Sequence, residues 1–371
     1  MMTLHTQRKL RGFTIIELMV AITISALILG VLTQVYAGAK RSYRVTEALS
    51  RMQENGRYAM DYLARDIRLA GYMGCVSSGT AVSNMANPVT GWSPLNTATS
   101  PITIKGIEGY EASLVSPSAI TGSTAVATDA VLVQFFSPSS AKLTHFPTAT
   151  NANIQISGNP LNFRQYEILV VTDCAFADIL KATTVSSGGG TVTIAHSTSN
   201  NTRNTTYGTY GQNAEVMRMQ SNVYYILTTA GLPSLMRRRL GSFVTGDLTQ
   251  SCTNATSSTS QGFCVEEIAE GVEDLQLLYG VDTNTDLSAD KFVVASSVTA
   301  AEWANVVSVR VNLLVRSVET NVSPEANTTA PTSQIPLYSG NTAYATATLA
   351  ATPRAFRRVY TETITLRNRA F

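Results

Sequence analysis

A single acidic side chain, Glu17, stands in an otherwise uncharged run from Phe13 to Ala39. On membrane-insertion scales a carboxylate at the centre of an apolar helix costs roughly 2.5–3.5 kcal/mol, so such a residue is a candidate functional group. If the chain is cut after Gly12, the new α-amine of Phe13 is a cation about one helical turn from Glu17. The spacing predicts a carboxylate that pairs with a newly exposed N-terminus, in its own chain or in a neighbouring one.

The apolar run is long enough to cross a membrane. Its 27 residues form a helix of about 40 Å, against a hydrocarbon core of about 30 Å. A secretory signal has a shorter apolar run that ends in a small residue at the cleavage site. Here the small residue, Gly12, precedes the run, so cleavage would remove the basic leader, residues 1–12, and keep the helix, residues 13–39.

The segment Gly12–Val20, reading GFTIIELMV behind a short basic leader, resembles the cleavage and methylation site of type IV pilins and of the pseudopilins of type II secretion. The resemblance implies that a membrane prepilin peptidase cuts after Gly12 and N-methylates Phe13. It also implies that Glu17 pairs with the N-terminus of a neighbouring subunit during filament assembly.

The helix is predicted to continue through an amphipathic second half, residues 40–71. From Val45 the apolar side chains recur every three or four residues, which defines one helical face. That face comprises Val45, Leu49, Met52, Gly56, Ala59, Leu63, Ile67 and Ala70. Gly71 is a natural stop. The pattern predicts a stem whose first half is apolar all round and whose second half packs on a globular head.

The remainder, residues 72–371, is predicted to be a β-rich periplasmic head, which makes the fold class α+β. Short apolar runs alternate with turn residues there, as is typical of β domains. The predicted strands are Ala130–Phe136, Glu167–Thr172, Thr191–Ala195, Asn222–Thr228, Leu235–Leu240, Gly271–Tyr279, Val306–Val318 and Val359–Arg367. Residues 77–101, 196–213, 245–262 and 319–347 are predicted to be surface loops.

Several sequence blocks resemble the minor pilin family PilW. They are Gln53–Tyr58, Arg65–Arg68, Ala70–Cys75, Leu169–Cys174, Gly271–Gln276, Tyr279–Asp282, Trp303–Val307 and Thr363–Asn368. The resemblance implies a low-abundance subunit that starts pilus polymerisation in a priming complex at the tip. Its implied partners are other minor pilins, the major pilin and a tip-associated adhesin, and its implied location is the inner membrane and then the pilus.

The four cysteines permit three pairings, and an exported head would be oxidised. Cys252 and Cys264 flank a loop rich in serine, threonine and asparagine, which favours pairing them with each other. Elimination then pairs Cys75 with Cys174. A zinc site is the rival interpretation, but the sequence contains no C-x-x-C spacing.

Two other patterns suggest ligands. Asp282, Asn284, Asp286 and Asp290 form a D-x-N-x-D run that resembles the start of a calcium loop. The EF-hand pattern requires glycine and glutamate where this chain has Leu287 and Val293, so a polar turn is the favoured interpretation and no cofactor is expected. The basic runs 237–239 and 357–358 predict solvated strand edges that resist aggregation, with DNA binding as the alternative.

The composition excludes other classes. Charged residues make up 14% of the chain and the net charge is +2, too balanced for a protein whose main task is to neutralise phosphates. The sequence contains no G-x-S-x-G, H-E-x-x-H or P-loop motif, so no enzymatic activity is expected. The alternatives left open are a J-type pseudopilin of type II secretion, a membrane-anchored hydrolase and a DNA- or surface-binding tip module.

Overall fold

The computed structural model of the protein describes residues 13–76, 81–88, 104–111, 128–145, 153–206, 209–211, 213–229, 231–241, 251–253, 262–323 and 354–368. A single long helix precedes a β-rich region, so the predicted α+β class is confirmed.

Helix α1, Ile15–Leu69, runs without interruption for 55 residues. Thr14 caps its start, and Ala70 ends it just before Gly71, which has a positive φ of 74°. The predicted apolar face is confirmed. Its members are buried from Met52 to Ala70, and Val45 and Leu49 are partly buried.

The first thirty-two described residues of the chain contribute nothing to the core. Every side chain from Phe13 to Arg44 is exposed, although this stretch contains the most apolar part of the sequence. By length and composition, the helix includes a stretch long and apolar enough to cross a membrane. Burial therefore divides α1 into a free half and a half that packs on the head.

In the described part of the head, twelve strands form the larger sheet. They are β1 (Ala81–Asn84), β2 (Ile107–Tyr110), β3 (Ala130–His145), β4 (Ile154–Ser157), β5 (Ile168–Thr172), β6 (Phe176–Lys181), β7 (Thr184–Gly188), β8 (Thr191–Ala195), β9 (Glu215–Thr229), β10 (Leu232–Gly241), β11 (Ser251–Thr253) and β12 (Gly262–Glu270). The main path runs β1-β6-β5-β9-β3-β4-β8-β7, while β2 pairs with β3. Strand β10 lies between β9 and β12, and β11 pairs with β12.

Four strands form the second sheet, in the order β14-β13-β15-β16 with antiparallel pairing throughout. They are β13 (Val272–Val281), β14 (Lys291–Val293), β15 (Val306–Arg316) and β16 (Arg357–Thr365). Two 3-10 turns, Ala295–Ser297 and Glu302–Asn305, connect β14 to β15.

The largest core cluster joins the second half of α1 to both sheets. It contains Leu63 and Ile67 of the helix, Val131 of β3, Leu277 of β13 and Val311 of β15, among others. A helix with an apolar stripe must bury that stripe against another layer, and here the stripe holds the two sheets together.

The sequence located eight of these strands and missed the other eight. β3 and β9 are longer than predicted, and the predicted loops 77–101 and 245–262 contain β1 and β11 respectively. Most of the predicted loop 319–347 lies outside the described residues. The missed β12 carries three glutamates, which strand propensity disfavours.

Candidate functional site: the start of the stem and its attachment to the head

Glu17 is held by Thr14, the residue that caps the stem helix. The backbone N–H and the hydroxyl of Thr14 both donate to Glu17 Oε2, each at 2.9 Å. In return the Glu17 N–H donates to Thr14 Oγ1 at 3.3 Å. This reciprocal arrangement is a capping box, and it places the acid at the positive end of the helix dipole.

The capping box leaves half of the carboxylate available. Both bonds from Thr14 go to Oε2, and no described residue donates a hydrogen bond to Oε1. The neighbouring Phe13 is 90% exposed, and Gly12 lies outside the described residues. The geometry provides an acceptor that a cationic N-terminus could reach without displacing Thr14. The sequence analysis overlooked Thr14, although the T-x-x-E spacing is a recognised capping signal.

The stem is fixed to the head through a buried polar contact. Asp66 of α1 is 7% exposed, and its Oδ2 accepts hydrogen bonds from Asn222 Nδ2, at 2.7 Å, and from the Tyr224 hydroxyl, both on β9. Burial, followed by the charge of Asp66, raises the pKa of Tyr224 well above its usual value, so this hydroxyl remains a donor. The helical pattern predicted neither the burial of Asp66 nor its partners.

Two further contacts lie on the second sheet. Arg68 near the end of α1 pairs with Glu362 of β16 at 2.8 Å. Gly56 abuts the ring of Tyr360, also on β16, closely enough that a Cβ on Gly56 would come within 3.0 Å of three ring atoms. Helix and sheet approach this closely because residue 56 has no side chain.

A disulfide joins Cys75, just after the stem, to Cys174, which follows β5. Their Cα atoms are 5.2 Å apart although 99 positions separate them in sequence. Cys264 of β12 is also disulfide-bonded, and the β11–β12 register places Cys252 directly opposite it. The Cys75–Cys174 disulfide therefore ties the segment after the helix to the middle of the larger sheet.

The aspartate-rich loop is organised by its own hydrogen bonds. Asp282 accepts the backbone N–H groups of Asn284, Thr285 and Leu287, and Asp290 accepts from Thr283. Asp286 accepts the side-chain amide of Asn284. Among the described residues, no three histidine, cysteine, aspartate or glutamate side chains are arranged to hold a metal ion. The loop is a polar turn held by hydrogen bonds to its own aspartates.

The basic run 237–239 is not a solvated strand edge, so that prediction is wrong. Its strand, β10, is paired on both sides. Arg237 and Arg239 both pair with Glu266 of β12, and the intervening Arg238 is buried. Both of these arginines share one carboxylate, and their side chains are only 16% and 25% exposed. The run therefore presents little open positive surface to DNA.

The second basic run divides between two environments. Strand β16 ends the four-stranded sheet, and Arg358 on it is exposed, as a solvated edge requires. The Arg357 side chain is 3% exposed and pairs with Glu273 at 2.8 Å. Only half of this run fits the prediction.

An apolar stem that starts with a capped acid and carries a β-rich head is the architecture of pilin-like proteins. Residues 7–33 match the family model described as the prokaryotic N-terminal methylation motif. Residues 223–368 match the model described as type IV pilus-assembly protein W. Together the two segments match a PilW-family type IV pilin. No curated protein and no solved structure matches it.

The two matches indicate the general biology of the chain. The methylation motif and the apolar helix indicate inner-membrane anchoring, pilus association and processing by the prepilin peptidase. The matched family is described as a pilus-assembly component. Four of the blocks that suggested PilW, at 271–276, 279–282, 303–307 and 363–368, fall inside the matched segment.

Proposed function

We propose that this chain is a minor pilin that helps to initiate type IV pilus assembly within a priming complex of minor pilins. In this role it remains at or near the pilus tip, contacts the major pilin and an adhesin, and supports twitching motility and adhesion. Before assembly it is a single-pass protein of the inner membrane with its head in the periplasm.

One observation carries the proposal: the apolar half of the stem has no partner among the residues that the structure describes. All side chains from Phe13 to Arg44 are exposed, whereas the continuation of the same helix is buried in the head. Apolar surface on this scale requires lipid or other helices around it. A stem of this kind can move from membrane to filament because it exchanges one apolar environment for another.

Processing completes the site under this proposal. Cleavage after Gly12 frees the amine of Phe13, which is then N-methylated and remains cationic. Glu17 keeps its bonds to Thr14 and offers Oε1 to that cation, first in its own chain and then in a neighbour. The Glu17 carboxylate therefore has a cationic partner both in the membrane and in the filament. This pairing limits the free-energy cost of holding a charge in an apolar medium.

The assembly role is tested by Glu17→Ala. The variant should insert and be cleaved normally, since neither step needs the pairing, but it should be absent from sheared pili. Glu54→Ala is the matched control because Glu54 is an exposed acid on the outer half of the same helix. Wild-type amounts of Glu17→Ala in the filaments would refute the role.

The processing step is tested separately by Gly12→Val, which should leave a full-length precursor in the membrane. Intact-mass measurement of the purified protein distinguishes the forms, and an unchanged mature mass would contradict cleavage after Gly12.

Deletion of the gene distinguishes this proposal from the J-type pseudopilin. Loss of twitching with normal secretion of exoproteins supports the minor pilin. The opposite phenotype would assign the chain to type II secretion.

A further inference from the structure

A cluster of aromatic and basic side chains follows the membrane-spanning part of the stem. The segment 15–35 rises about 32 Å at 1.5 Å per residue, which matches a hydrocarbon core of about 30 Å. The next turns of the helix carry two tyrosines and three cations. We call these residues the headgroup belt: Tyr36, Lys40, Arg41, Tyr43 and Arg44.

The side chains of the belt are exposed in the described part of the protein. Tyr36 is 70% and Tyr43 72% exposed, and all three cations are exposed. No acidic side chain in the described part of the chain forms an ion pair with Lys40, Arg41 or Arg44. The first ion pair along the helix joins Glu47 to Arg51, one turn further on.

Most of the belt faces away from the protein's own head. At 3.6 residues per turn, Tyr36, Lys40, Tyr43 and Arg44 lie on one side of the helix, opposite the face that Gly56 and Leu63 bury. The described part of the head does not cover these side chains, so we look for their partner in the surroundings of the stem.

We propose that the headgroup belt binds the anionic phospholipid headgroups of the membrane leaflet on the side of the head. Tyrosine rings favour the membrane–water interface, where one end is apolar and the other is hydrated. Each lysine or arginine near an anionic surface contributes about 1 kcal/mol, equivalent to roughly a fivefold change in binding. The position of the belt along the helix, its positive charge and its tyrosine rings all favour anionic headgroups as its partner.

The belt also accounts for a feature that the positive-inside rule leaves unexplained. Basic residues near a membrane helix normally mark the cytoplasmic side, yet this chain has three basic residues on each side of its apolar run. The three basic residues of the leader are removed together with the leader if cleavage follows Gly12. The belt remains, and lipid binding gives it a role in setting the depth of the mature stem.

The test compares two double variants of the full-length chain purified in detergent. Lys40→Gln/Arg44→Gln removes two belt cations. Arg57→Gln/Arg65→Gln removes two exposed cations from the same helix, about 20 and 32 Å beyond Arg44 and therefore outside the reach of the interface. Titration with phosphatidylglycerol or phosphatidylcholine, read by native mass spectrometry, gives the lipid affinities.

Wild-type protein and the Arg57/Arg65 variant should bind phosphatidylglycerol about equally, and more tightly than phosphatidylcholine. The Lys40/Arg44 variant should bind phosphatidylglycerol roughly tenfold or more weakly, and 0.5 M salt should reduce the difference. Unchanged phosphatidylglycerol binding by that variant would overturn the proposal, as would equal wild-type affinity for both lipids. Loss of self-association with unaltered lipid binding would assign the belt to a second copy of the chain instead. None of these results depends on the pilus role.

Discussion

Gly56 of the stem helix lies directly against the ring of Tyr360 on the edge strand of the smaller sheet. Glycine inside a helix costs about 1 kcal/mol relative to alanine, and this one is in a helix that is otherwise well formed. The close packing of the helix on the smaller sheet offsets this cost, because the ring of Tyr360 occupies the space that a side chain at position 56 would need.

Gly56→Ala should therefore destabilise the head by about 1–3 kcal/mol through overpacking, despite its better helix propensity. Gly30→Ala is the matched control, since nothing lies within 4 Å of a Cβ at Gly30. Thermal unfolding of the full chain in detergent measures both. Gly56→Ala combined with Tyr360→Ala should be less unstable than the sum of the two single variants, and strict additivity would contradict the contact.

The bond between Asp66 and β9 predicts a second stability effect. Asp66→Ala leaves the buried Tyr224 hydroxyl and the Asn222 amide without their acceptor, at a cost of about 2–4 kcal/mol. Asp61→Ala, five residues earlier on the exposed face of the helix, should change stability by less than about 0.5 kcal/mol. Denaturant unfolding of both variants tests this difference. Similar midpoints would show that Asp66 does not hold the stem on the sheet.

Asp274 on β13 predicts a pH dependence. Burial raises the pKa of this carboxyl to about 6, although Gln276 and the Leu275 N–H donate hydrogen bonds to it. In the unfolded chain the Asp274 carboxyl ionises near pH 4. The free energy of unfolding therefore falls as pH rises from about 4 to about 6. Below pH 4 the group is neutral in both states and this loss is absent.

Asp274→Asn should consequently raise the free energy of unfolding at pH 7.5 by up to about 3 kcal/mol and leave it nearly unchanged at pH 4. Urea unfolding at the two pH values measures the change, with Asp61→Asn as the exposed control. A loss of stability at pH 7.5 would mean that the charged form is favoured in the fold.

The capping box at the start of the stem predicts local fraying when its hydroxyl is removed. Thr14→Val should destabilise the start of the helix by about 1 kcal/mol. This corresponds to roughly fivefold faster amide exchange at Glu17. Thr33→Val is the control, since the Thr33 hydroxyl only bonds back to its own helix, at Leu29 and Gly30. Hydrogen–deuterium exchange in micelles distinguishes them, and equal rates in Thr14→Val and wild type would contradict the cap.

Much of the helical stem could be predicted from local sequence alone. Helical hydrogen bonds join residues four apart, so the periodic stripe, the absence of proline and Gly71 fix the helix within two residues of its observed ends. The site motif is equally local, because Gly12, Phe13 and Glu17 lie within one and a half turns. Strands with clear alternation, such as Val306–Arg316, were located for the same reason.

The pairing of strands and the partners of the polar side chains were decided only by the tertiary structure. The glutamate-rich β12 becomes a strand because Arg237 and Arg239 of β10 neutralise Glu266 across the ladder. Asp66 looks like any polar helical residue until β9, more than 150 positions away, supplies its donors. Local periodicity specifies which face of an element is apolar. It cannot specify which distant element meets that face, because this choice depends on the free energy of burial summed over the whole head.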